Sequence, residues 1–287
     1  MTRYIDIPGF APTVYAPPDP SLTDGHLLLL IPGKPIDGYW GSGNDIPNLA
    51  AAKFASLTGT TAPTATVFNS FANTASGQVE RTGKNRPHFM VSHLNNTSSG
   101  ASGLGAGAGI QIPTNLRAWL QANPTHKFYL SIGFRLTRPY TGSSPTVAPL
   151  VSIKSPDLAG TKITAGVTSA GALAGTPSSS SSQRLGFTSA SLPSDAAEKF
   201  VAITSDGFTL STSVSTVLLY LGAISSGTTN TSPSIAVSRI ALVDLTAGTS
   251  LSHGGVSAAD LDAWSASHSV GGYYNGDTMS DPAVLVP

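Results

Sequence analysis

The stretch "KFYLSIGFRLTR" (127–138) decides the fold. Phe128, Leu130, Ile132, Phe134 and Leu136 alternate with Lys127, Tyr129, Ser131, Gly133 and Arg135. Successive side chains of a strand point to opposite faces, so this period of two predicts a long strand with one apolar face. Just upstream, "IQIPTNLRAWLQANP" (110–124) carries Leu116, Trp119 and Leu120 at helical spacing. Thr114 is expected to cap a helix over 115–122, and Asn123-Pro124 to end it.

Further strands are expected at "GHLLLLIPG" (25–33), "TATVFNSFA" (64–72), "HFMVSHL" (88–94), "APLVSIKS" (148–155), "QRLGFTSA" (183–190), "KFVAITSD" (199–206), "STVLLYLGAI" (215–224) and "SIAVSRIALVDLT" (234–246). "SDG" (205–207) reads as a hairpin turn and "SGQVERTGKNR" (76–86) as turns with a charge cluster. Helices are expected within "DIPNLAAAKFASLTG" (45–59), with Pro47 in the first turn, and over "VSAADLDAWSASH" (256–268), capped by Ser257. Many short strands with turn signals between them indicate an all-β sandwich or barrel. The organisation expected is an extended Pro-rich arm over 1–24 and a single β-sandwich domain over 25–287, with flexible Gly/Ser loops near 95–109 and 156–182.

Composition narrows the partners. Only 10% of residues are charged, against about 25% in an average domain, and the formal net charge is zero. Nucleic acid is not expected, because phosphate binding needs a basic excess. Weak charge favours association of copies. The chain has no cysteine, hence neither a disulfide nor a thiolate metal site. "LLLLI" (27–31) is the longest apolar run, too short for a membrane span. The first 20 residues contain no apolar core of signal-peptide length, so the chain is expected to be soluble and made in the cytosol.

Catalytic signals are weak. "GLGAGAGI" (103–110) contains a G-x-G-x-x-A pattern but lacks the preceding strand and following helix of a dinucleotide site. The six histidines form no metal motif, and His88 and His93 are expected on opposite faces of a strand. Asp206 with Asp244 is a conceivable glycosidase pair, yet most aspartates lie in turn contexts such as Asp24-Gly25 and Asp37-Gly38. Asn275, Asp277 and Asp281 offer oxygen ligands for Ca²⁺, although turn formation explains them equally simply. No catalytic residue, metal or cofactor is assigned. Tyr39, Trp40, Tyr129, Tyr273 and Tyr274 are the candidates for stacking on a glycan, with core or interface packing as the competing role.

"IPTNLRAWLQANPTHKFYLSIGFRLTR" (112–138) and "SRIALVDLTAGTSLSHGGVSAADLDAWSASHSVGGYYNGDTMSDPAVLVP" (238–287) together resemble concanavalin A-like, laminin-G-type jelly-roll structural proteins of tailed bacteriophages. The resemblance implies a two-sheet antiparallel jelly roll with two short helices and the N-terminal arm. In it "PAVLVP" (282–287) pairs as the last strand. Phe128, Leu130, Ile132 and Phe134 would meet Leu218, Tyr220, Ile240 and Leu242 inside. It also implies a non-enzymatic virion component of a tail fibre, baseplate or head-decoration region, made in the host bacterial cytoplasm. Such a part assembles with itself, a trimer being plausible, and with other virion proteins. A lectin-like module recognising host cell-surface glycan is the alternative, and a polysaccharide-degrading enzyme a third.

Overall fold

The computed structural model describes residues 22–33, 44–71, 76–92, 107–139, 148–154, 161–168, 183–188, 198–204, 216–222, 233–250, 260–261 and 274–285. Residues 1–21 of the expected arm, most of the 95–109 loop, 156–160 and 169–182 of the second expected loop, and all but Asp260 and Leu261 of the expected late helix lie outside these residues; Thr161–Thr168, expected in that second loop, is a strand.

The architecture is mostly β: two antiparallel sheets packed as a sandwich, with a small third sheet. In chain order the elements are β1 (His26–Leu30), β2 (Asp45–Pro47), α1 (Ala51–Thr58), β3 (Thr64–Asn69), β4 (Gly77–Arg81), β5 (Pro87–Val91) and β6 (Gly107–Gln111). There follow α2 (Thr114–Ala122), β7 (Phe128–Arg138), β8 (Ala148–Lys154), β9 (Thr161–Thr168) and β10 (Gln183–Thr188). Then come β11 (Glu198–Thr204), β12 (Val217–Gly222), β13 (Ser234–Asp244), α3 (Leu245–Ser250) and a 3-10 turn, Pro282–Leu285.

Sheet A runs β11-β7-β13-β5-β4, with β1 also paired to β13. One edge of β13 thus serves two neighbours: Ile235 and Ala236 pair with β5, and Ile240 to Val243 pair with β1. Sheet B runs β12-β6-β3-β2. In the small sheet, β8 and β9 are antiparallel but β9 and β10 are parallel, a departure from the expected uniformly antiparallel arrangement.

The alternating face of β7 does what its period requires. Phe128, Leu130, Ile132, Phe134 and Leu136 are buried between the sheets with Ile235, Val237, Ile240 and Leu242 of β13 and Phe89 of β5. Sheet B contributes Val67, Ile110, Leu218, Leu219 and Leu221, while Phe54 of α1 and Leu116 and Leu120 of α2 join the same core. A buried leucine or phenylalanine contributes about 1.5–3 kcal/mol by leaving water, so this interior dominates the fold energetically. The side chain of Tyr220 lies outside the description.

Sheet A is buried on its second face too, which alternation alone did not predict. All eleven residues of β13 are buried. Towards the end of β13, Ala241 packs with Leu29 and Ala50, and Val243 with Tyr129 and Leu261. Nearer its start, where Arg135 opposes Ala236, residues 274–285 cross the face.

Several local expectations are corrected. Asp45–Pro47 pairs with β3 as a strand, and α1 begins only at Ala51. Asn48 enforces the break. Its Oδ1 accepts from Leu29 N and Ala50 N at 2.9 and 3.0 Å, and its Nδ2 donates to Leu27 O and Ala62 O at 3.0 and 2.8 Å. Asn48→Ala strands four buried backbone groups and should lower stability by about 2–3 kcal/mol, measured by urea denaturation. At the other end of α1, Gly59 adopts φ 73°, as expected of a glycine stop.

Thr114 is the first residue of α2 rather than its cap; Pro113 holds the cap position with no side-chain bond. Gly77–Arg81 is a strand paired with β5, not a turn. Gly107–Gly109, expected in the Gly/Ser loop, is the buried start of β6. β11 pairs with β7 while β12 pairs with β6, so these two strands lie in different sheets; "SDG" (205–207) itself lies outside the described residues. "PAVL" is a 3-10 turn, not the last strand. Asp281 Oδ1 accepts from Ala283 N at 2.9 Å, Asp281 O accepts from Val284 N at 3.0 Å, and Pro282 has no donor to offer a sheet.

Candidate functional site

The registers place five residues in one row across the second face of sheet A. Glu198 of β11 opposes Arg135 of β7, Arg135 opposes Ala236 of β13, Ala236 opposes His88 of β5, and His88 opposes Glu80 of β4. Acids close both ends, and bases stand between them. Arg135 and Ala236 sit at strand positions whose chain neighbours turn to the core, as pleating dictates.

Arg86, just before β5, anchors the row. Its guanidinium is fully buried, with Nε 2.7 Å from Asp277 Oδ2 and Nη1 2.7 Å from Glu198 Oε1. The Tyr274 ring lies 4.6 Å from the guanidinium carbon, a cation–π contact. Asp277 is as buried as its partner and also accepts from Lys84 N at 2.7 Å. Its backbone oxygen accepts from Arg135 Nη1 at 3.2 Å. Burial pushes the Glu198 carboxyl above the usual carboxylate range, against the pull of Arg86, Ser238 and Arg135.

At the far end, His88 bridges. Nδ1 lies 2.8 Å from Glu80 Oε1 and Nε2 lies 2.8 Å from Thr137 Oγ1. Burial, with Arg86 and Arg135 nearby, holds the imidazole below its ordinary value despite Glu80. Burial works to raise Glu80, but bonds from His88 and Ser280 outweigh it and hold the carboxyl low.

Residues 274–285 cross this row as a strap. Ser280 donates to Glu80 through both N (2.8 Å, Oε1) and Oγ (2.7 Å, Oε2). Thr278 O accepts from Gly83 N at 2.8 Å, Lys84 Nζ donates to Asn275 O at 2.6 Å, and Ser92 Oγ donates to Leu285 O at 3.2 Å. The Tyr274 hydroxyl donates to Pro32 O.

A second polar hub lies at the end of β13. Asp244 is fully buried and its Oδ2 accepts from Trp119 Nε1 at 3.0 Å, with His126 Nδ1 2.7 Å away. Its Oδ1 accepts from Ala247 N at 2.8 Å, capping α3. This one carboxylate ties α2, the approach to β7 and α3 together.

Of the residues proposed for glycan stacking, Tyr129 and Tyr274 are buried, one in the cluster with Val243 and Leu261 and the other against Arg86. Neither offers an open ring face. Tyr39, Trp40 and Tyr273 lie outside the described residues, as does Asp206, so its pairing with Asp244 does too. Asp277 and Asp281 are spent on Arg86 and on the 3-10 turn, respectively. Among the described residues, no group of three or more His, Cys, Asp or Glu is placed to hold a metal ion.

Sequence reasoning missed Arg86, Glu80, Glu198 and Ser280 as partners. The available signal was Glu198 opening the largely apolar strand "EKFVAIT".

No family model and no curated protein matches the chain. Among solved structures it is similar to Trypanosoma rangeli sialidase in complex with sialic acid, at 13% identity over 84% of this chain and 32% of that one, TM-score 0.37. It is also similar to botulinum neurotoxin type C, whose cell entry depends on interaction with two ganglioside molecules, at 11% identity over 86% of this chain and 52% of that one, TM-score 0.42. The chain thus spans about a third to a half of these neighbours' lengths. Likeness of this degree carries no argument about what the chain binds or acts on.

Proposed function

We propose that the chain is a non-enzymatic structural component of a bacteriophage virion, in the tail-fibre, baseplate or head-decoration region, assembling with itself and with other virion proteins. The observation carrying the non-catalytic part is the fate of its carboxylates. Among the described residues, Glu80, Glu198, Asp244 and Asp277 are each engaged by partners of the same chain. A catalytic carboxylate needs access to a substrate in hydrogen-bond reach, and these are spent on holding the fold. The assembly part rests on composition: a chain with 10% charged residues and zero formal charge has little self-repulsion between copies. The phage setting rests on the resemblance of the 112–138 and 238–287 stretches.

Sedimentation velocity into the high micromolar range tests the assembly. A discrete homo-oligomer, such as a trimer, supports the proposal, and a strict monomer throughout counts against it. Incubation with host polysaccharide tests the other half: shortened chains would contradict a non-enzymatic role, and retention on glycan without cleavage would turn the assignment toward receptor recognition.

A further inference from the structure

We propose that residues 274–285 are a strap that mild acid releases from sheet A while the sandwich itself stays folded. The proposal concerns this chain's own conformation and does not depend on the phage assignment.

Three features carry it. Within the described residues the strap joins no sheet, so its hold does not rest on a β ladder. Its apolar anchors are few: Tyr274, Pro282 and Leu285 are buried, whereas Val284 is 65% exposed. Two of its polar anchors end on ionisable groups, Ser280 on Glu80 and Asp277 on Arg86. Glu80 accepts from Ser280 N and Oγ while also meeting His88, so the protonation of two side chains governs how the strap is held.

The charged and titratable groups around this seat are few enough to name. Glu80 comes from β4, His88 from β5, Lys84 and Arg86 from the turn before it, Arg135 and Arg138 from β7 and Glu198 from β11. The strap itself brings Asp277, and Asp281, which faces Arg138. The signs differ among them. His88 is held below its ordinary 6.5, so its stabilisation is complete above that pH and is lost as pH falls toward its folded value. Glu80 is held below its ordinary 4.5, so its contribution is present above that value and is lost at still lower pH. Glu198 is held above 4.5, so its contribution is present below that value and fades as pH rises through the folded one, opposite to the other two. Glu198 meets Arg86 inside the sheet's second face, whereas His88 and Glu80 form the seat of Ser280. Acidification through the His88 window therefore weakens the strap first.

Hydrogen exchange read by mass spectrometry tests this, comparing peptides from 274–285 with peptides from β7 and β13 at about pH 7.5 and about pH 5, corrected for intrinsic rates. Strap protection should fall at the lower pH, with β7 and β13 unchanged. In His88→Gln the difference between the two pH values should vanish. Ser280→Ala, which leaves the sheet intact, should lower strap protection already at the higher pH. Loss of protection in strap and core together, equal strap protection at both pH values, or an unaltered pH response in His88→Gln overturns the proposal. Should His88→Gln not fold, normal strap protection in Ser280→Ala overturns it instead.

Discussion

Arg86→Ala should destabilise the protein by about 3–5 kcal/mol, the usual loss when one member of a buried ion pair is removed. The wild-type guanidinium is fully buried between Asp277 and Glu198, with the Tyr274 ring beside it. Truncation leaves Asp277 with Lys84 N as its remaining side-chain contact and deprives Glu198 of its nearest cation. The loss is therefore mostly the penalty of uncompensated charge, not the net worth of the pair. Arg86→Lys should recover little, since a single ammonium does not reproduce the fork that reaches two carboxylates from different atoms. Equilibrium denaturation in urea reads both variants, and the slope of the transition reports whether two-state unfolding survives.

The second large effect is expected at Gly109. A Cβ there would lie 1.8 Å from the Leu219 carbonyl oxygen, 2.7 Å from its carbon and 3.0 Å from the Phe68 ring. Side chains can turn away from a clash, but a paired backbone carbonyl cannot. Gly109→Ala should therefore force β6 and β12 apart and lower stability by about 3 kcal/mol, the top of the usual overpacking range. Gly59→Ala provides the contrast. Nothing lies within 4 Å of its Cβ position, and its φ is +73°, so only backbone strain is added, about 1 kcal/mol. Thermal melts of the pair separate crowding from strain. Equal losses would show that close sheet-B packing at Gly109 is not what fixes that residue.

These two sites show what the sequence made legible and what it hid. β7 was readable from its alternation and β1 from its continuous apolar run, and many short strands with turn signals pointed to a sandwich or barrel; the two-sheet form was what the resemblance implied. Gly109 was hidden because a glycine needed for close backbone approach looks the same as a glycine in a loop. The preceding "SSGASGLGAG" (98–107) favoured the loop. "PAVLVP" was misjudged because a short apolar run has no period to read, and the Asp281 bond that starts a turn there depends on local geometry. The charged row was hidden for a different reason. Glu80 and Arg86 stand more than a hundred residues before Glu198, and Asp277 lies later still. Taken singly, each looks like a solvated turn or edge charge. Only the register of five strands brings them into line.

These buried charges hold the chain to itself. A double-mutant cycle on Arg86→Met and Asp277→Asn, measured by urea denaturation, tests that most directly. A coupling of at least about 2 kcal/mol is expected, with the double variant far less damaged than the two single losses added together. Additive losses would mean that the two side chains do not meet in solution, and the clamp across sheet A would have to be abandoned.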